Sequence, residues 1–227
     1  MLRDNTTRAK NAIIMLWISF AFLFIFLISD IFELYVIREF LVGEIDDELF
    51  ARAELSDVFS GIVGILWLVI FIIMSILFLM WFRRAYYNLH QLKNNLSYTD
   101  GWAVGSWFIP FANWVLPYRI MKEIYDSTRN LFIQRGDIQP KLPTNFVTIW
   151  WTISIISSVV NYFVFRASML DDPTIEMSYT TSIINVIGTL LLIISLFLCI
   201  KVVKDYAKVE PPLLSNLQKD ETNTNNL

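Results

Sequence analysis

The chain has 227 residues, 56% of them hydrophobic and 15% aromatic, with a mean hydropathy of +0.52 and a formal net charge of −3. That is more apolar surface than one water-soluble domain of this length needs to bury. A single histidine, His90, and a single cysteine, Cys199, exclude a multi-histidine metal site within one chain and an internal disulfide.

The apolar residues come in uncharged runs at 11–29, 58–82, 101–118, 142–165 and 177–200. A helix needs about 20 mostly apolar residues to cross a hydrocarbon layer of ~30 Å, because each backbone polar group must be satisfied inside the segment. The first run follows a basic start, residues 1–10 with Arg3, Arg8 and Lys10. It leads into "SDIFELY" rather than a small-x-small cleavage site, which predicts an uncleaved anchor. Counting twenty residues from Ala12 puts Asp30 and Glu33 at its outer boundary. The loop after it, about 37–57, contains "EIDDE". Glu44, Asp46, Asp47 and Glu48 offer hard oxygen ligands, but without the alternating spacing and central glycine of an EF-hand the loop reads as a solvated acidic cap.

The second run starts behind Ser56 and Asp57, either of which can cap a first turn. Phe82, Ala85, Leu89, Leu92 and Leu96 recur at three or four, so the helix is expected to continue past the membrane with one apolar stripe. Arg83 and Arg84 then fall at headgroup level, facing anionic lipid.

The run at 101–118 is interrupted by Pro110 and Pro117. Proline removes a backbone donor and disfavours helix at the residue before it, yet suits the first position of a new helix. Trp107, Phe111, Trp114 and Tyr118 form an aromatic ridge suited to a membrane interface. Gly101 and Gly105 match a small-xxx-small packing pattern, and Asn113 is placed to serve a carbonyl freed at the break. Behind the segment, Ile120, Met121, Ile124, Tyr125, Leu131 and Phe132 make an apolar stripe opposite Arg119, Lys122, Glu123, Asp126 and Arg129. This predicts an amphipathic helix on the membrane surface, with Arg119 pairing Glu123 and Lys122 pairing Asp126 across a turn.

The last two runs each carry a polar stripe, Ser154, Ser157, Ser158 and Asn161 in one and Thr181, Asn185, Gly188 and Ser195 in the other. Lipid gives no hydrophobic drive for helix association, so such stripes are expected to face each other. A polar pathway lined by Asn161 and Asn185 is the alternative, but no ionisable group lies in the central part of either run. Cys199 is expected to pack. From Glu210 onward, with Pro211 and Pro212, the tail 210–227 reads as disordered.

Charge placement sets the topology. Of the 18 lysines and arginines only Arg38, Arg52 and Arg166 fall in the first and last connecting loops; the rest sit at the N-terminus, in the middle loop or in the tail. Cytoplasmic loops carry the excess of such charge. Four spans, at about 12–36, 58–82, 144–165 and 178–201, with both termini cytoplasmic keep that division; a fifth at 101–118 would turn Arg119, Lys122, Arg129, Arg135 and Lys141 outward. The fold class expected is therefore an all-α integral membrane protein. It has four transmembrane helices within 11–209 and a cytoplasmic insertion at about 97–135, made of a Pro-broken re-entrant aromatic segment and an amphipathic helix.

"RRAYYNL" at 83–89 followed by "GWAVGSWFIPFANWVLPYRIMKEIYDST" at 101–128 resembles the bacterial membrane family catalogued as domain of unknown function 4328. The likeness extends over roughly 55–205 and rests on a signature that includes Trp102, Gly105, Pro110, Asn113 and Pro117; it implies a shared architecture in a bacterial inner membrane and no particular activity. Without catalytic, metal or cofactor motifs, the function expected is non-enzymatic. The chain would bind lipid, a membrane-protein partner or a second copy of itself through Arg83, Arg84, Trp107, Trp114, Tyr118, Arg119 and Lys122, and no nucleic acid. The rival expectation is a small oligomeric channel or permease lined by Asn113, Asn161 and Asn185.

Overall fold

The computed structural model describes residues 2–136 and 140–224, with side chains as far as Leu213. The elements in order are α1 (Thr6–Val42), α2 (Asp47–Leu92), α3 (Trp102–Gly105), a 3₁₀ turn (Ala112–Trp114), α4 (Leu116–Gln134), α5 (Asn145–Ala167) and α6 (Ile175–Thr224). No strand occurs among the described residues.

α1, α2, α5 and α6 are each long and apolar enough to cross a membrane. With 37 and 46 residues, α1 and α2 rise roughly 55 and 69 Å, well beyond a hydrocarbon layer of about 30 Å. Only 11% of the most apolar window of α2 is buried, and Ile62, Ile65, Leu66, Leu68, Val69, Phe71, Ile72 and Ile73 project outward from it. An apolar surface of that extent calls for an apolar solvent.

The ends of these helices follow local chemistry. Asp4 accepts the Thr6 N–H at the start of α1. Gly43 closes the end of that helix, where a Cβ would stand 2.8 Å from the Glu39 carbonyl oxygen. Asp46 accepts the Leu49 N–H at 2.8 Å and caps α2, so the helix begins ahead of the expected cap at Ser56 or Asp57, and most of the acidic loop is helical. Thr174 Oγ1 accepts the Met177 N–H at the start of α6. That helix continues through Pro211 and Pro212 to Thr224, with Glu210 and Leu213 buried; residues 225–227 of the expected tail lie outside the described residues.

Contacts divide the chain into two compact units. One comprises residues 1–16, 74–151 and 198–227, the other residues 17–73 and 152–197. The first has a core of Trp81, Phe82, Tyr86, Leu89, Ile120, Met121, Ile124, Tyr125, Val202, Val203 and Tyr206, all buried. Around it runs a chain of edge-to-face rings from Phe78 to Trp107 and from Trp107 to Trp151. The second unit is held by small and polar groups as well as by rings. Ser154 and Ser195 lie 2.7 Å apart, Ser157 Oγ donates to the Gly188 carbonyl at 3.5 Å, and a Cβ on Gly188 would meet Val160 Cγ1 at 3.2 Å. The two polar stripes therefore meet, as small residues allow. Asp30 is buried in the same unit, where it accepts hydrogen bonds from Asn185 and Thr189. Both partners lie on α6, so the acid that the count along the first run put at its outer boundary is held there by side chains of another helix.

Candidate membrane-interface site

The segment 101–118 forms no continuous helix. α3 is a single turn, and after it the backbone folds around Pro110, with the Ala112 N–H donating to the Pro110 carbonyl at 2.8 Å and the Asn113 N–H to the Ile109 carbonyl at 3.0 Å. Pro117 stands in the first turn of α4, where its missing donor costs nothing. Between the prolines Phe111 adopts φ +62°, a conformation that side chains other than glycine rarely hold and that costs on the order of 1–3 kcal/mol. Phe111 is also 83% exposed, and Phe108, Ile109, Trp114 and Val115 beside it are exposed as well.

The root of this loop is fixed while its tip is free. Trp107 packs edge-to-face on Phe78, Phe82 and Trp151 and is only partly exposed. The Trp151 Nε1–H donates to the Trp114 carbonyl at 2.8 Å, and the Tyr118 and Thr148 hydroxyls are 3.1 Å apart. The aromatic ridge expected from the spacing is thus split: Trp107 is built into the protein, whereas Phe111 and Trp114 project outward. Trp102 and Pro110 are exposed too. Gly105 meets nothing within 4 Å of an added Cβ, so its pairing with Gly101 makes no close helix contact. Asn113 Oδ1 is buried there without a hydrogen-bond partner.

α4 does have two faces, but the apolar one is covered by the protein. Ile120, Met121, Ile124, Tyr125 and Phe132 are buried, and the Tyr125 O–H donates to the Val202 carbonyl at 2.6 Å. Burial pushes the Tyr125 hydroxyl pKa up, followed by the charge of Asp205. Arg119 and Lys122 are exposed immediately behind the aromatic tip. The expected pairs across a turn are displaced by other partners. Glu123 instead accepts the Tyr86 O–H at 2.6 Å and both the N–H and O–H of Ser97 at 2.8 Å, and Asp126 pairs with Arg129 at 2.7 Å. Burial, and then the bond to Glu123, raise the Tyr86 pKa. Glu123 therefore ties α4 to α2 and to the linker that leads into the aromatic loop.

Arg83 lies 3.8 Å from Asp100, at the start of the same loop, and Arg84 stands 6.0 Å over the Tyr87 ring. Asn161 and Asn185 belong to the other unit, where Asn161 Nδ2 donates to the Ser157 carbonyl on its own helix and Asn185 Nδ2 donates to Asp30. Among the described residues no three acidic, histidine or cysteine side chains group as metal ligands.

The model of the domain of unknown function (DUF4328) matches residues 46–208. The chain belongs to this family. The stretch expected from the motifs lies inside that match, which takes in the aromatic loop, α4 and α5. No curated protein and no solved structure matches the chain. In this DUF4328 protein "RRAYYNL" has an evident structural use. Ala85, Tyr86, Asn88 and Leu89 are all buried, Tyr86 bonds Glu123, and Asn88 Nδ2 donates to the Arg3 carbonyl and to Glu210 at 2.8 and 2.9 Å.

Those last contacts were not anticipated. Glu210 is buried, receiving hydrogen bonds from Asn5 and Asn88, and burial pushes its pKa up to about 7. A buried carboxylate needs such donors, but residues 5, 88 and 210 give no hint in the sequence that they meet.

Proposed function

We propose that this chain is a non-enzymatic multi-pass protein of the bacterial cytoplasmic membrane, with both termini and α4 on the cytoplasmic side. Its Pro-broken aromatic loop acts as a wedge, entering the inner leaflet far enough to hold lipid or a membrane-protein partner. The observation that carries this reading is the tip itself. Phe108, Ile109, Phe111, Trp114 and Val115 are exposed on a loop, and Phe111 holds an unfavourable backbone angle while touching little protein. Moving those side chains from water into an interface offsets the strain, since burying one such side chain is worth about 1.5–3 kcal/mol. Arg119 and Lys122, exposed just behind the tip, match the headgroup layer that the wedge would pass through. Trp107 supports the wedge from inside the protein, so its loss would loosen the loop rather than remove a lipid contact.

The test places a nitroxide at Phe111→Cys in proteoliposomes, with the buried Cys199 changed to alanine. A label shielded from a water-soluble nickel complex but relaxed by oxygen is expected; free access of nickel would refute the wedge. The sidedness is read separately by Lys122→Cys, which should resist an impermeant maleimide on intact cells and react in inverted vesicles.

A channel or permease remains the second reading because an acid in a transmembrane helix, here Asp30 bonded to Asn185 and Thr189, is costly and commonly functional. Proton or cation flux in proteoliposomes that disappears in Asp30→Asn supports it, and absence of flux under every imposed gradient discards it.

A further inference from the structure

The N-terminal arm with the start of α1, the end of α2 and Asp100 ahead of the aromatic loop line a cavity that the exposed aromatic tip does not account for. It has a volume of about 350 Å³, at the small end of the roughly 300–1,000 Å³ usual for ligand sites, and is lined by Arg3, Arg8, Met80, Arg83, Arg84, Tyr87 and Asp100. We propose that this cavity binds a phosphate group, gripped by Arg3, Arg8 and Arg84, with Tyr87 as its aromatic floor and Met80 as its apolar wall. The proposal builds on the placing of Arg83 and Arg84 at headgroup level and adds Arg3, Arg8 and a defined pocket.

Charge bookkeeping supports an anion. Four guanidiniums line the cavity against one carboxylate, and that one, Asp100, lies 3.8 Å from Arg83. The other acids near Arg84 are already engaged: Asp4 accepts from Thr6, and Glu210 accepts from Asn5 and Asn88. Arg3 and Arg84 both stand over the Tyr87 ring, at 4.7 and 6.0 Å from its centre. An anion bound between them would offset the repulsion of these like charges, and planar guanidiniums suit phosphate oxygens in pairs. Burial first, and then the charges of Arg8 and Arg3, push the Arg84 pKa down.

The grip is built rather than incidental. The Arg3 N–H donates to Asn88 Oδ1 at 3.1 Å, and Asn88 Nδ2 donates back to the Arg3 carbonyl at 2.8 Å. One buried side chain thus pins both polar groups of the Arg3 backbone, so the arm meets α2 in a fixed register and little ordering remains to oppose binding.

A phosphate group can come from a lipid headgroup or from solution, and calorimetric titration of the full chain in dodecyl maltoside separates the two. Dioctanoyl phosphatidic acid should bind saturably, at least tenfold more tightly than dioctanoyl phosphatidylcholine. Arg84→Gln and Arg8→Gln should each weaken it by roughly tenfold or more, and Lys208→Gln, outside the cavity, should not. If inorganic phosphate competes, the group itself is the ligand; if saturating phosphatidic acid withstands tens of millimolar phosphate, the lipid is. Equal binding of the two lipids, no saturation, or wild-type affinity in Arg8→Gln overturns the proposal. Because the lipid comparison uses the unaltered protein, it decides even if Arg84→Gln does not fold. The titration is made in micelles, so failure of the wedge reading would show only in the nitroxide experiment and failure of the phosphate site only here.

Discussion

Glu210 makes a pH dependence that can be calculated from its surroundings. Its carboxyl has an ordinary pKa of 4.5 and is pushed up to about 7, first by burial and in part offset by the hydrogen bonds from Asn88 and Asn5. An acid whose pKa rises on folding holds more protons folded than unfolded, so stability falls as pH rises between the two values and levels off above the higher one. At about 1.4 kcal/mol per pH unit, the gap from 4.5 to about 7 sets a ceiling of about 3 kcal/mol on the loss. For a chain of this size that corresponds to several degrees, at roughly 2–4 °C per kcal/mol. Glu210→Gln removes the titration. Its uncharged amide keeps one acceptor for the two asparagines, and its new N–H can reach Asn5 Oδ1, which is buried without a partner, if the Asn5 amide turns over. The exchange sacrifices the 3.3 Å bond from Asn5 to the Trp81 carbonyl. Thermal unfolding in detergent, followed by tryptophan fluorescence from pH 5 to pH 8.5, should show the variant matching the wild type near pH 5 and exceeding it by several degrees at pH 8. Parallel pH profiles, or a wild type that gains on the variant as pH rises, would refute the reasoning.

Glu123→Ala should free the linker that begins at Ser97: three hydrogen bonds are lost, the Tyr86 hydroxyl is left with a weaker partner, and a cost of about 2–4 kcal/mol should appear as faster proteolysis between Lys93 and Gly101. Gly188→Val should destabilise the α5–α6 pair by about 1–3 kcal/mol because its Cβ already meets Val160 and Asn161 within 3.3 Å, whereas Gly64→Ala on α2, where an added Cβ meets nothing within 4 Å, should leave the melting temperature unchanged or raised. Tyr125→Phe should cost about 1–2 kcal/mol by stripping the Val202 carbonyl of its buried donor, measured as a lower melting temperature with unaltered helix content.

The four long helices were legible because length and hydropathy alone decide whether a segment can live in hydrocarbon. The break at 101–118 was legible because Pro110 and Pro117 act on their own backbone and on the residue before it. What stayed hidden was which medium covers an apolar stripe. Ile120, Met121 and Ile124 show a helical period that is the same whether lipid or Trp-rich protein lies against it, and here it is protein. Local pairing rules failed for the same reason. Glu123 had Arg119 four residues away, but a buried tyrosine hydroxyl and a backbone N–H offered desolvated hydrogen bonds, which outweigh a solvated ion pair. The tail reading failed on Pro211 and Pro212, which predict an end to the helix only if nothing else holds the chain; burial of Glu210 and Leu213 on either side holds it.

The cations show the limit most clearly. Counted loop by loop, Arg3, Arg8, Arg83 and Arg84 each add to the same side of the positive-inside count, and that sum carries no information on distance. Folding converts the sum into a place, since Asn88 pins Arg3 against α2 and Tyr87 sets two guanidiniums on one ring. Charges selected only to orient a membrane protein would be spread to lower their mutual repulsion. Convergence of four around one cavity with a single lining acid is a cost that the fold bears, and a bound anion is what would relieve it.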